Sequence, residues 1–180
     1  MIYAFWNNKG GTGKTSLAFQ AICSFAQTNQ DKSILVVDAC PQANLSELLL
    51  GGLTGGGSYT LLTHHGAATR RSIGGYFQIR LPSPYAPPVF NPRDYIIKPS
   101  LDNFAVPHNI DLLSGDPLLE LQSNAINTLS NSQIPGINPW IAVLDWMRDF
   151  IRLLDRGYDY IFFDCNPSFS VYTQIALSIN

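Results

Sequence analysis

A short apolar run, Ile2-Tyr3-Ala4-Phe5-Trp6, leads directly into Asn8-Lys9-Gly10-Gly11-Thr12-Gly13-Lys14-Thr15-Ser16. No other segment constrains the chain as tightly. The apolar run reads as a buried parallel strand. Beyond the glycines, Leu17, Ala18, Ala21, Ile22 and Phe25 recur at helical spacing, which predicts an amphipathic helix over about residues 14–28. A strand, a glycine-rich turn and a helix in that order form a cradle for phosphate. Backbone N–H groups must converge on the anion, and side chains would block them, hence Gly10, Gly11 and Gly13. The helix N-terminus adds a partial positive charge aimed at the same point. Lys14 is placed to set an ammonium on β- and γ-phosphates, the Thr15 hydroxyl to meet Mg²⁺, and Ser16 to reach the α-phosphate. The residues from Gly10 to Ser16, Thr12 included, are therefore the expected nucleotide-binding set, with ATP and Mg²⁺ as cofactors. The spacing is not the common GxxxxGK[ST]: Asn8 stands where that pattern needs glycine, and a second lysine, Lys9, opens the loop.

The rest of the chain fits an alternating β/α order. Ile34-Leu35-Val36-Val37 reads as a second buried strand ending at Asp38, so residues 2–38 make a βαβ unit with a right-handed crossover. Asn109-Ile110-Asp111-Leu112-Leu113 and Tyr160-Ile161-Phe162-Phe163, the latter ending at Asp164, read as further strands. Asp116-Pro117 and Asn138-Pro139 each look like a helix N-cap followed by proline. After the second, Trp140, Val143, Leu144, Met147, Ile151 and Leu154 form one apolar stripe running to a glycine C-cap at Gly157. Phe169 to Ile179 reads as a helix. No internal repeat is found. The expected fold is α/β, with three αβα layers and a mainly parallel sheet, as one P-loop domain over residues 1–180.

One block departs from this order. Glycines crowd residues 51–57, and prolines punctuate 82–99. The expectation is a Gly/Pro-rich excursion at about 51–105, an irregular surface insertion with one short helix near 58–65. The alternative is a partner- or dimer-contacting loop.

Composition narrows the function classes. With 46% hydrophobic and 13% charged residues, the chain is not a disordered one. A net charge of −2 leaves no overall electrostatic footprint for nucleic acid. Cys23, Cys40 and Cys165 are odd in number and lack metal-ligand spacing, so they read as reduced thiols of a cytoplasmic protein. His64-His65 is a polar loop pair rather than a metal pair, because neighbours do not share a helix face. No apolar run is long enough to span a membrane, and the N-terminus has no charged leader.

Taken together, these motifs resemble the ParA/MinD family of deviant P-loop ATPases. Asn7-Asn8-Lys9-Gly10-Gly11-Thr12-Gly13-Lys14-Thr15 resembles their signature loop. Asp38-Ala39-Cys40-Pro41-Gln42-Ala43-Asn44 resembles the ParA-type switch I pattern DxDPQxN. Tyr158 to Ser168 resembles the segment carrying the Walker B aspartate, here Asp164. The resemblance implies an ATPase that dimerises on ATP, with Lys9 reaching the phosphates of the partner subunit. It implies catalytic roles for Lys9, Lys14 and Asp38, and a metal site of Thr15, Asp38 and Asp164. It also implies a ParB-like or adaptor protein as partner, and a role in plasmid or chromosome partitioning or positioning. Family members continue past the helix after Walker B, so the C-terminal part, which carries non-specific DNA binding, is expected to be missing here.

Two positions depart from the family pattern. Cys40 stands where the family has a second switch I acid that orients the attacking water. A thiol is a weak acceptor and is protonated near neutral pH, which predicts ATP binding with slow hydrolysis. Asn166 stands where proline is usual, with an expected effect on switch II stiffness alone. The competing readings are a hydrolysis-impaired, ATP-gated interaction module and a P-loop metabolic synthetase. Pro41-Gln42 argues against the synthetase, and no cysteine pair suits the cluster of the nitrogenase-reductase branch.

Overall fold

The computed structural model describes residues 1–154, 157–166 and 170–179. Among these, four strands form one parallel sheet: β1 (Ile2–Phe5), β2 (Ile34–Ala39), β3 (Ile110–Leu113) and β4 (Tyr160–Cys165), in the order β1-β4-β2-β3. The chain leaves β1 through the glycine loop into α1 (Lys14–Thr28) and returns as β2. It then forms α2 (Asn44–Leu49), α3 (Gly57–His65), α4 (Ile73–Arg80), a 3₁₀ turn at Pro92–Tyr95 and α5 (Pro99–Asp102) before β3. After β3 come α6 (Leu118–Ser130), α7 (Pro139–Leu144), α8 (Trp146–Arg152), β4 and α9 (Val171–Leu177).

Alternation along the central strands divides the core. Ile34 and Val36 of β2, with Ile110 and Leu112 of β3, face one side. There they pack with Ala18, Ile22 and Ala26 of α1 and Leu45 and Leu49 of α2. Leu35, Val37, Leu113 and Phe163 face the other, where they meet Tyr76 and Phe77 of α4, Ile126 of α6, Trp146 and Phe150 of α8, and Ile175 of α9. Helices thus cover both faces of a parallel sheet, the three-layer arrangement expected. β2 is buried at every position, as a strand with helices on both sides must be.

The expectations need correcting at three places. β1 is parallel but it is an edge strand. Among the described residues it pairs with β4 alone, and Tyr3 is 47% exposed, because an apolar run does not reveal which strands flank it. The stripe from residue 139 is interrupted at Asp145 and its second helix ends at Arg152, short of Gly157. The block at 51–105 is largely built into the fold. Besides α3 it contains α4, the 3₁₀ turn and α5, and it sends Ile73, Tyr76, Phe77 and Tyr95 into the core. Pro92 and Pro99 open short helical elements rather than mark an unstructured loop. Pro84 accepts a hydrogen bond from the Trp146 indole at 2.8 Å, and the Tyr76 hydroxyl donates to the Trp146 carbonyl at 2.6 Å. The expected helix from Phe169 runs over Val171–Leu177 with Ser170 as its cap; Phe169 itself, with Pro167 and Ser168 of the expected switch segment and the final Asn180, lies outside the described residues.

Candidate functional site

The first helix begins at Lys14 with Gly13 as its N-cap, in the left-handed region at φ 79°. Gly11 is also left-handed, at φ 71°. Any residue with a Cβ would be strained at both, so the loop's shape requires glycine there. At Gly10, Gly11 and Gly13 an added Cβ would meet nothing within 4 Å, so packing within the protein does not exclude side chains there. The space beside the loop is open, which is what close approach of a phosphate needs. α1 has no side-chain cap and no acid in its first turn. Its leading N–H groups and positive dipole end are thus directed at the same open space. The loop is held in shape by its own polar groups: Asn7 Oδ1 accepts from the Lys9 N–H at 3.1 Å, and Asn7 Nδ2 donates to Thr12 Oγ1 at 3.2 Å.

Asp164 sits at the end of β4, paired in register with Phe5 of β1 on one side and Asp38 of β2 on the other. It is 1% exposed. The Lys14 ammonium donates to its Oδ1, and the Thr15 hydroxyl donates to its Oδ2 at 2.8 Å. The two side chains expected to meet phosphate and Mg²⁺ therefore converge on the carboxylate of the expected Walker B aspartate. Around them lies a cavity of about 240 Å³ walled by Lys9, Gly11, Thr12, Gly13, Lys14, Thr15, Ser16, Cys40, Gln42, Asn44 and Asp164. Lys9 is on the exposed rim.

Asp38 lies behind this wall. It is fully buried. Its Oδ1 accepts from the Cys40 N–H at 3.2 Å, and its Oδ2 accepts from both the Ser46 N–H at 3.0 Å and the Ser46 hydroxyl at 2.8 Å. Burial, with Asp164 adding to it, pushes its carboxyl up to about 6 despite these bonds. Asp38, Cys40 and Asp164 bring one ligand atom each to within 4.8 Å of one another. The two carboxylates and the Thr15 hydroxyl are hard oxygen donors that suit Mg²⁺, whereas the Cys40 sulfur does not. The Cys40 thiol donates to the Asp164 carbonyl at 3.6 Å, and burial pushes its pKa far above the ordinary thiol value. Cys23, Cys40 and Cys165 are all free, with Cys165 pushed up to about 12 by burial.

Three residues of this site went unassigned in the sequence. Gln42 and Asn44 stand in the cavity wall, and Ser46 clamps Asp38. All three lie in the segment after β2. Their signal was its motif, but side-chain direction there depends on Ala43, a non-glycine residue in the left-handed region at φ 52°. Asn166 is tied through its carbonyl to the Thr173 hydroxyl at 3.3 Å. His64 bonds to Asp102 across α3 and α5 at 2.8 Å, while His65 turns inward to the Ser114 hydroxyl at 3.3 Å, so the two histidines diverge. No helix among the described residues is long and apolar enough to cross a membrane.

Comparison with known proteins agrees with this geometry. The whole chain, residues 1–180, matches the AAA domain family. No curated protein matches the sequence. Among solved structures, a putative plasmid partition protein from Borrelia burgdorferi, bound to AMPPNP, is 20% identical with a TM-score of 0.62 over 99% of this chain and 59% of that one. A Corynebacterium diphtheriae protein is 25% identical with a TM-score of 0.68, over 99% of this chain and 57% of that one. Cobyrinic acid a,c-diamide synthase from Mycobacterium smegmatis, with an ATP analog and magnesium, is 20% identical with a TM-score of 0.58, over 99% and 56%. The chain thus spans less than two thirds of the length of each of these structures. With its double-lysine loop, its parallel sheet and the Lys14–Asp164–Thr15 cluster, the chain belongs to the AAA domain family.

Proposed function

We propose that this chain binds ATP with Mg²⁺ and works as a ParA-like switch whose hydrolysis is slow. The observation that carries the reading is the convergence of Lys14 and Thr15 on Asp164 at the mouth of an uncapped helix, beside a glycine loop open to ligand. Backbone N–H groups from Gly10 to Ser16 would cradle the phosphates, with Thr12 shaping the loop and Lys14 moving its ammonium onto the β- and γ-oxygens. Mg²⁺ held by Thr15 and, through water, by Asp164 would neutralise charge between the β- and γ-phosphates. Asp38, locked by Ser46, organises the switch I segment from behind rather than from the cavity wall. Lys9, exposed on the rim, is free to reach the phosphates of a second subunit in an ATP-dependent homodimer.

The rate limit follows from Cys40. A thiol kept neutral by burial can neither take a proton from water nor orient it well. In a ParA-like cycle, ATP shifts the population toward the dimer and hydrolysis releases it. A partitioning or positioning role in the cytoplasm, a ParB-like or adaptor partner and contact with non-specific DNA are the physiological form of that cycle. Solved structures of plasmid partition proteins with this fold support the assignment.

Calorimetry with Mg-ATP, sedimentation with and without ATP, and phosphate release test the reading together. Micromolar or tighter binding, ATP-dependent dimers and turnover well below that of the Cys40→Asp variant are expected. Absence of ATP binding removes the proposal. Rapid turnover by the wild type would mean that another group positions the water. A second reading, a P-loop synthetase, draws on the likeness to cobyrinic acid a,c-diamide synthase. ATP consumption that requires a small carboxylate acceptor would favour it.

A further inference from the structure

The end of the sheet away from the glycine loop carries a hollow of its own. Ser33 leads into β2, Asn109 into β3, and Gly157 and Tyr158 into β4. These residues border a space of about 760 Å³ at the N-terminal ends of the strands, whereas Asp38 and Asp164 stand toward the C-terminal ends. Among the described residues its wall carries three cations, Lys32, Arg93 and Lys98, against two carboxylates, Asp31 and Asp111, in a chain whose net charge is −2. Neither carboxylate closes the hollow to an anion. Asp111 is engaged at both oxygens, Oδ1 by the Lys98 ammonium at 2.8 Å and Oδ2 by the Tyr158 hydroxyl at 2.7 Å. Asp31 meets Lys32 in a pair whose side chains are 75% and 39% exposed, so water or another carboxylate can exchange with it. An ammonium has three N–H donors, and Lys98 gives only one of them to Asp111.

The walls are held in place by the protein itself. The Asn109 amide donates to the carbonyls of Ala26, Asn29 and Lys32 at 3.2, 3.0 and 3.1 Å, which pins the turn carrying Lys32 to the start of β3. Arg93 donates to the Tyr158 hydroxyl at 3.0 Å and lies over the Tyr158 ring, so Asp111 gathers Lys98, Tyr158 and, through Tyr158, Arg93. A smaller hollow of about 390 Å³ shares Gln30 and His108 with the first and is bordered by Phe104, Ala105 and Pro107. Phe104 is 92% exposed. A single exposed apolar residue is ordinary, but this one stands where a cationic wall runs on into an apolar one. We propose that the two hollows form one groove that docks an extended acidic segment of a partner protein, with its carboxylates on Lys32 and Lys98 and an apolar side chain against Phe104. Charge complementarity selects the acidic partner, and Phe104 selects a peptide over a small anion, which would fill the cationic half and leave the ring uncovered. The groove lies at the opposite end of the sheet from the glycine loop, so the proposal goes beyond the nucleotide-binding reading and stands independently of it.

Fluorescence anisotropy of a short labelled peptide of alternating glutamate and leucine, added to the full chain, tests this. The same peptide with glutamine for glutamate should bind about tenfold more weakly or worse, and binding of the acidic peptide should fade as salt is raised to about 0.5 M. Lys32→Ala and Lys98→Ala should each weaken it about two- to fivefold, the worth of one exposed charge pair. Phe104→Ser, at a position too exposed to threaten folding, should weaken it several-fold and leave a glutamate–serine peptide unaffected. Saturating Mg-ATP should not displace the peptide. An acidic peptide that fails to bind, or that binds the wild type, Lys32→Ala and Phe104→Ser alike, would overturn the groove. Displacement by Mg-ATP would put the peptide at the glycine loop and overturn it as well. A single-stranded oligonucleotide that competes as well as the unlabelled peptide would make this a nucleic-acid surface and not a peptide groove. Peptide binding in a chain that binds no ATP would remove the nucleotide reading and leave this proposal standing.

Discussion

The Cys40 thiol donates its proton to the main-chain carbonyl of Asp164, sulfur to oxygen 3.6 Å, across the ends of β2 and β4. Burial first, then the charges of Asp38 and Asp164, hold that thiol neutral. Cys40 is thus a weak donor already engaged, with no basicity to offer a water molecule. Cys40→Asp should raise ATP turnover by about 10²-fold or more, the usual worth of a positioned catalytic base. It also brings a third carboxylate to within a few ångströms of Asp38 and Asp164. The variant's melting temperature in EDTA should fall below that of the wild type, and Mg²⁺ should return most of the difference. Unchanged turnover would show that the acid is not what the wild type lacks.

Lys14 and Asp164 form a nearly closed pair, with side chains 11% and 1% exposed. Removing one partner of such a pair leaves the other charge buried without its counterion. Lys14→Met should cost about 3–5 kcal/mol of stability on that ground, measured by urea denaturation. It should also weaken ATP binding about 10- to 100-fold, the worth of charge-assisted hydrogen bonds to phosphate. The double variant Lys14→Met/Asp164→Asn separates the two effects. Its stability should recover toward the wild type while its ATP affinity stays low. Recovery of both would mean that Lys14 serves the fold and not the ligand.

The glycine loop was legible because its residues act locally. Gly11 and Gly13 declare their backbone angles and Lys14 and Thr15 follow from them, so sequence and structure agree from residue 8 to 28. β2 and β4 were legible as apolar runs ending in Asp38 and Asp164, and the sheet sets those two aspartates side by side. What sequence could not provide was strand order. Ile2-Tyr3-Ala4-Phe5 is as apolar as a central strand, yet its neighbours leave it on an edge. The segment from 51 to 105 was misread for a different reason. Its glycines and prolines carry strong local signals for irregularity, while the burial of Tyr76, Phe77 and Tyr95 depends on Trp146 and Phe150, far along the sequence. Ser46 was missed because a serine that clamps a buried carboxylate looks like any other serine until Asp38 is placed beside it.

Gly115 marks where the exit from β3 crosses the segment after β2. A Cβ added there would lie 2.5 Å from the Cys40 carbonyl oxygen and 2.9 Å from the Ala43 Cα. Both are main-chain atoms, so the clash cannot be relieved by a rotamer. The Gly115 N–H also donates to the Ser46 hydroxyl at 2.9 Å, which in turn holds Asp38. Gly115→Ala should therefore destabilise the chain by about 1–3 kcal/mol, the usual cost of overpacking, and should displace the cavity wall at Cys40 and Gln42. Lower urea midpoint together with weaker ATP binding is the expected result. A loss of stability with ATP affinity intact would detach this crossing from the site.

His65 supplies a pH dependence with a definite sign. Its ring is 6% exposed and its Nε2 meets the Ser114 hydroxyl at 3.3 Å. Burial, opposed by Asp116 and reinforced by Arg70, lowers its pKa below the ordinary histidine value of 6.5. The folded state thus favours the neutral ring, and the unfolded chain binds more protons below that value. Stability linked to His65 is present in full above about pH 6.5 and is lost as pH falls through the lowered folded-state value. Urea midpoints should therefore decline between about pH 7 and pH 5. His65→Gln should flatten that decline. A slope unchanged by the substitution would mean that the ring is as easily protonated in the folded chain as in the unfolded one, and that α3 is not held against β3 in the way the His65–Ser114 contact requires.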